Sequence, residues 1–248
     1  MGIIEQDRTR PSNRTSARKS RRRSKRPRVL QGDLFARTWG GPREGAGRKR
    51  RGPRRRVGHR TREEVRSAFP VHVTLRLADG LPSLRQRATY RVLLGALGGG
   101  CERFDMRRVH WVALGNHRHL IVEARDRHAL SRGMQGLGVR IARALNRCWT
   151  RTGRVLADRY HAHVLRSPRE VRNTIAYVLG NARHHRIPVV GADPCSSAPW
   201  FDGWIGVLSG ERADVERPTW LRAAGSWLLA HGWRQWGLLE LGVQPAGP

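Results

Sequence analysis

Apolar and polar positions begin to alternate after Phe69, where Val71, Val73, Leu75 and Leu77 interleave with His72, Thr74 and Arg76. That period of two predicts a strand with one buried and one polar face. Pro82-Ser83 then opens a helix running to about Leu97, and Gly98-Gly99-Gly100 ends it as a flexible turn. Val109–Leu114 and His117–Ala124 are both rich in β-branched and apolar residues, with Gly115-Asn116 between them as a two-residue turn of the kind that permits positive φ. A hairpin follows. On its second strand Leu120, Val122 and Ala124 share one face, while His117, His119 and Ile121 share the other.

Helical spacing dominates what comes next. Leu130, Met134, Leu137, Ile141 and Leu145 form an apolar stripe, while Arg140, Arg143 and Arg147 point elsewhere, either into solvent or against a DNA backbone. Val155 to Leu165 is a short extended segment holding Tyr160, His161 and His163. Ser167-Pro168-Arg169-Glu170 has the form of a helix start, with Ser as N-cap, Pro in the first helical position and Glu in the third. Val171, Ile175, Val178 and Ala182 are the buried stripe of that helix, so Asn173, Thr174, Tyr177, Asn181 and His184 fall on another, polar face. The order strand, helix, hairpin, helix, strand, helix predicts an α+β domain built on an antiparallel β-sheet with packed helices.

Composition adds two flanks to this domain. Residues 1–66 carry the densest cation runs and almost no periodic apolar pattern, so they read as a basic, disordered DNA-binding arm. Arg21, Arg22, Arg23, Arg48, Lys49 and Arg50 would clamp phosphates there, the alternative being a solvated tail. Residues 67–190 are the periodic domain, and 191–248 form a C-terminal extension. Trp200, Phe201 and Trp204 should pin this extension to the core, and Trp220, Leu221, Trp227, Leu228 and Leu229 predict a short terminal helix, packing by default and reading DNA as the alternative. The formal net charge of +30 points to a polyanionic partner, even allowing for the arginine usage of a GC-rich genome. No apolar run is long enough to cross a bilayer, which implies a cytoplasmic protein with no membrane partner. Cys101, Cys148 and Cys195 are scattered singly, as reduced thiols rather than zinc ligands.

The candidate chemistry lies in two short patterns. His117 and His119, two apart on a strand, can present both imidazoles to one metal ion. Tyr177 and Asn181, one helical turn apart, can carry a nucleophile and a third polar ligand on one face. A bare His-x-His arises readily by chance, and His161-Ala162-His163 is a second copy, so only the hairpin context favours the first. Neither Tyr90 nor Tyr160 has an Asn or Gln one turn later on a polar helix face, which leaves them to packing or base stacking. A carboxylate-based two-metal nuclease is disfavoured, because the 19 acidic residues show no clear trio at strand ends.

The ordered set Val71-His72-Val73-Thr74, Gly115-Asn116-His117-Arg118-His119-Leu120 and Tyr177-Val178-Leu179-Gly180-Asn181 resembles the IS200-like single-tyrosine transposases, particularly their domesticated relatives associated with repetitive extragenic palindromes. The resemblance covers about residues 69 to 187, with flanking likeness at Gly40–Lys49, Thr219-Trp220-Leu221 and Gly232-Trp233-Arg234. It implies a ferredoxin-like fold and a histidine-hydrophobic-histidine nuclease, bacterial and nucleoid-associated, monomeric or homodimeric. By the resemblance, His117, His119 and Asn181 hold Mg²⁺ or Mn²⁺, and Tyr177 attacks single-stranded DNA hairpins or palindromes to form a 5′-phosphotyrosine. An ordinary phenol, with a pKa near 10, needs such a polarised phosphodiester to react at neutral pH. The alternative is a catalytically silent nucleic-acid-binding protein that kept the fold. Arg118 departs from the pattern, since a cation in the middle position must either snorkel to a sheet edge or be paired. Asn181, where some of these enzymes have Gln, gives a shorter reach.

If the arm neutralises phosphates, a chain beginning at Ser67 binds single-stranded DNA less tightly and with a shallower salt dependence than the full chain. Equal affinity and equal slope in a salt titration would reduce the arm to a solvated tail.

Overall fold

The computed structural model describes residues 63–99, 104–205 and 217–241. The chain divides into two units, Met1–Pro53 and Arg54–Pro248, and every described residue belongs to the second. Arg21, Arg22, Arg23, Arg48, Lys49, Arg50 and Cys101 therefore lie outside the described residues. In order, the elements are β1 (Val71–Arg76), α1 (Arg87–Gly98), β2 (Met106–Ala113), β3 (His117–Ala124), α2 (Arg127–Cys148), β4 (His161–Val164), α3 (Pro168–His184) and α4 (Trp227–Ala230). The strands form one antiparallel sheet in the order β2-β3-β1-β4, a ferredoxin-like arrangement of an α+β domain.

Strand alternation divides the core between the two sides of this sheet. Val71, Val73, Leu75, Leu120 and Val122 pack with Leu93 and Leu97 of α1 and with Leu130, Met134, Leu137, Ile141 and Leu145 of α2. On the other side Ile121 and Val112 meet Val171, Ile175, Val178 and Ala182 of α3. A β-bulge between Arg108 and His110 sets Val109 and His110 against the single residue Ile121, which returns Trp111 to the same face as Arg108. Val65 is buried among the α1–α2 core residues, so the packed domain begins before Ser67.

Two local expectations change. Helix α1 starts at Arg87 rather than at Pro82-Ser83, because the preceding residues are held as a turn against the hairpin. The Leu84 amide donates to Gly115 O, Ser83 Oγ accepts from the Arg85 amide, and the Arg85 guanidinium forks onto Asp193 at 2.8 and 2.9 Å. The hairpin turn also needs no positive φ at Gly115 or Asn116. The Leu114 amide on His117 O closes it around Gly115-Asn116, and neither residue adopts the left-handed backbone of a mirror-image turn.

Helix α3 starts as its sequence requires. Ser167 Oγ accepts from the Glu170 amide at 3.2 Å, and Pro168 occupies the first turn. Glu170 reaches back one residue further than a capping box would, accepting from the Arg166 amide at 2.7 Å and from His163 Nε2 at 2.6 Å. That contact joins the start of α3 to β4.

The C-terminal extension closes the α3 side. Ala198, Phe201, Leu228, Leu229, Trp233 and Leu239 join that core, and a five-residue 3₁₀ turn, Gly232–Trp236, follows α4. Glu123 of β3, 5% exposed, holds the segment by accepting from the Gly225 and Ser226 amides at 2.8 and 2.7 Å.

Arg118 neither snorkels to an edge nor finds a partner among the described residues. It points to the α1–α2 side, 2% exposed, and its Nε, Nη1 and Nη2 have no hydrogen-bond partner among the described residues. Burial, and secondarily the neighbouring Arg108, push its pKa down to about 9. An unmatched buried cation is destabilising, so Arg118→Met should raise unfolding stability by roughly 1–3 kcal/mol. Urea unfolding of the two proteins checks this, and a less stable variant would mean that the guanidinium is satisfied after all.

Candidate active site

The histidines of the hairpin sit on the sheet face that α3 covers. His117 and His119 lie opposite Arg76 and Thr74 of β1, and His72 and Thr74 in turn lie opposite His163 and His161 of β4. Three neighbouring strands therefore present imidazoles to one side of the sheet. The α3 stripe lays its adjacent polar face over them, bringing the Tyr177 ring to 5.2 Å from that of His119 and 6.0 Å from that of His72. The end of α3 adds His184, 6.0 Å from Tyr177, and its cap residue His185 stands 5.1 Å from His117.

Hydrogen bonding orients the two hairpin imidazoles alike. His117 Nδ1 meets Asn116 Oδ1 at 2.9 Å, and His119 Nδ1 meets His72 Nε2 at 3.0 Å and Thr74 Oγ1 at 3.1 Å. A proton on each Nδ1, donated to those acceptors, leaves both Nε2 lone pairs free. His119 Nε2 is buried and has no partner among the described residues. Burial also disfavours the charged rings: His117 is lowered to about 4, with His185 and Arg76 adding to the effect, and His119 to about 3, with His72, His117 and His185 adding. His72 is lowered to about 4 by burial and by His163 and His161. All three are neutral at pH 7.

Asn181 stands one turn beyond Tyr177 on α3, fully buried, and neither its Oδ1 nor its Nδ2 has a partner among the described residues. Thr174 Oγ1, on the same side of α3, is likewise buried and unpartnered. Among the described residues no group of three or more His, Cys, Asp or Glu side chains is arranged to hold a metal. The ligand set expected from the sequence, two imidazole nitrogens and an amide oxygen, would fit Mg²⁺ or Mn²⁺ in part, since such ions prefer oxygen.

The structure brings His117, His119 and Tyr177 together and sets Asn181 on the same helix. Arg140, Arg143 and Arg147 are not part of this constellation, because α2 covers the opposite side of the sheet. Arg143 and Arg147 are exposed, while Arg140 lies half-buried against α1 with its Nε 3.4 Å from Ala96 O. His161 and His163 border the site on β4, where His163 is tied to Glu170. Sequence reasoning gave no functional role to His72 or His185. His72 was visible only as a polar residue of β1, and its value comes from the pairing of β1 with β3.

No protein-family model matches the chain, and no curated protein matches it. Among solved structures, a REP-associated tyrosine transposase bound to a REP hairpin is similar at 17% identity, covering 57% of this chain and 82% of that one with a TM-score of 0.45. Likeness of that degree leaves function to the residues themselves. No described helix is long and apolar enough to cross a membrane.

The neutral histidines make stability depend on pH. Folded pKa values near 4 or below for His72, His117 and His119, and near 4 for the half-buried His110, lie under the unfolded value near 6.5, so acid favours the unfolded chain. Their contribution is intact above about pH 6.5 and is lost progressively as pH falls towards 4. Thermal unfolding followed from pH 8 to pH 4 should show a steady melting temperature down to about pH 6.5 and a decline below it. A flat or rising profile would contradict the buried, neutral assignment.

Proposed function

We propose that this protein is a metal-dependent single-tyrosine DNA transposase, or a domesticated transposase-like endonuclease, acting on hairpin-forming single-stranded DNA. The observation that carries this reading is the unpartnered, buried His119 Nε2 beside Tyr177, with His117 on the same strand face. His117, His119 and the Asn181 amide would hold Mg²⁺ or Mn²⁺, which when bound polarises the scissile phosphate. Tyr177 Oη attacks phosphorus, the bond to the 3′ oxygen breaks, and the departing oxygen takes a proton to become a 3′-hydroxyl. A 5′-phosphotyrosine remains. Attack on it by another 3′-hydroxyl restores a phosphodiester and frees the tyrosine, so the bond energy is conserved without ATP. His72 and Thr74 hold the His119 ring, and Asn116 holds that of His117.

A second reading, a binding protein that kept the fold without the chemistry, draws support from the complete burial of Asn181 and from the unmatched Arg118 behind the histidine strand. One experiment separates the two. With Mg²⁺ or Mn²⁺ and a single-stranded hairpin substrate, the wild type should give a covalent protein–DNA adduct that survives denaturation. Tyr177→Phe should abolish the adduct with binding nearly intact, and His117→Ala and His119→Ala should suppress it, whereas His161→Ala should have a much smaller effect. Loss of the adduct in Tyr160→Phe but not in Tyr177→Phe would overturn the site. Failure of every metal and hairpin to give an adduct would leave the binding protein.

A further inference from the structure

Two described tryptophans are exposed, Trp227 at 57% and Trp236 at 53%, and Trp236 ends the 3₁₀ turn. The position is built rather than frayed. Arg172 of α3 donates from Nε to Gly237 O and from Nη2 to Leu238 O, both at 2.9 Å, which fastens the backbone just after the tryptophan. Gly237 takes a positive φ of 82°, a turn that an L side chain would strain, and Trp233 earlier in the same turn is anchored in the core at 1% exposure. The Arg169 guanidinium lies 5.3 Å from the Trp236 ring centroid. A large aromatic plane is thus held at the surface beside two arginines, in a chain of net charge +30.

Placement along α3 relates this platform to Tyr177. At 100° per residue, Arg169, Asn173, Gly180 and His184 form the outward ridge of the helix, and Tyr177 and Arg172 flank it on opposite sides. A Cβ built on Gly180 would meet nothing within 4 Å, so the ridge is open at Gly180, about one turn beyond Tyr177. From Arg169 to Tyr177 the axial rise is roughly 12 Å, the length of only a few stacked nucleotides at ~3.4 Å each.

We propose that Trp236, with Arg169 beside it, is a stacking site for a base of single-stranded DNA whose backbone runs along α3 to Tyr177. The chemistry selects that partner: an aromatic plane accepts any unpaired base, an adjacent guanidinium takes the neighbouring phosphate, and a base locked in a duplex cannot reach the ring. This inference rests on the DNA-processing reading above, yet it concerns binding alone.

The test uses the full chain and a fluorescently labelled single-stranded oligodeoxythymidine, with fluorescence anisotropy read over a range of salt and a duplex of equal length for comparison. Trp236→Ala should weaken single-strand binding by about tenfold or more with the salt slope unchanged, and should change duplex binding little. Trp236→Phe should recover most of the affinity, while Trp236→Leu should not. Arg169→Ala should make the salt slope shallower by about 0.7. Wild-type affinity in Trp236→Ala, or equal recovery by Leu and Phe with melting temperatures unchanged, would overturn the proposal. A stacking effect without any covalent adduct removes only the enzymatic reading, and an adduct without a stacking effect removes only this one.

Discussion

Strand β3 lies inside the sheet, paired with β2 on one edge and β1 on the other, and both of its faces are covered. Its parity is therefore the constraint from which the rest follows. Leu120, Val122 and Ala124 must meet α1 and α2, which leaves His117, His119 and Ile121 to the α3 side. A slip of one residue would put Arg118 and Leu120 under α3 and drive the imidazoles into the aliphatic layer. Because Ile121 packs in the same core as the α3 stripe, the burial that positions α3 also sets Tyr177 above His119.

Polar groups buried by this arrangement fall into two sets with different physics. On the α3 side His72, Thr74 and His119 satisfy one another, and the rings escape the cost of buried charge by staying neutral. What remains unmatched there among the described residues is His119 Nε2, Thr174 Oγ1 and the Asn181 amide. Arg118 on the other side has no such outlet, because a guanidinium cannot discard its charge at neutral pH even when its pKa is lowered to about 9. The middle residue of the histidine pair thus carries a cost in stability.

The extension after residue 190 is part of the same core rather than an appendage to it. Glu123 ties Gly225 and Ser226 to the central strand, Arg85 grips Asp193, and Trp233 fills the space beneath α3. Its tryptophans divide by exposure, with Trp233 buried in the core, Trp227 and Trp236 exposed, and Trp236 beside Arg169 of α3.

The elements were legible in the sequence because they rest on local rules. Alternation marked β1 and both faces of β3, spacing marked the stripes of α2 and α3, and the Ser167-Pro168 pair marked the start of α3. His117, His119 and Tyr177 were legible as candidates for the same reason, each pattern lying within a single element. What the chain could not declare was anything that depends on distant segments meeting. The delayed start of α1 comes from contacts with Gly115 and Asp193, the support of His119 by His72 from a strand pairing across 47 residues, and the separation of the α2 arginines from the histidines from the two-sided burial of the sheet. Periodicity tells a residue which face of its own element it occupies, but only tertiary packing decides what that face meets.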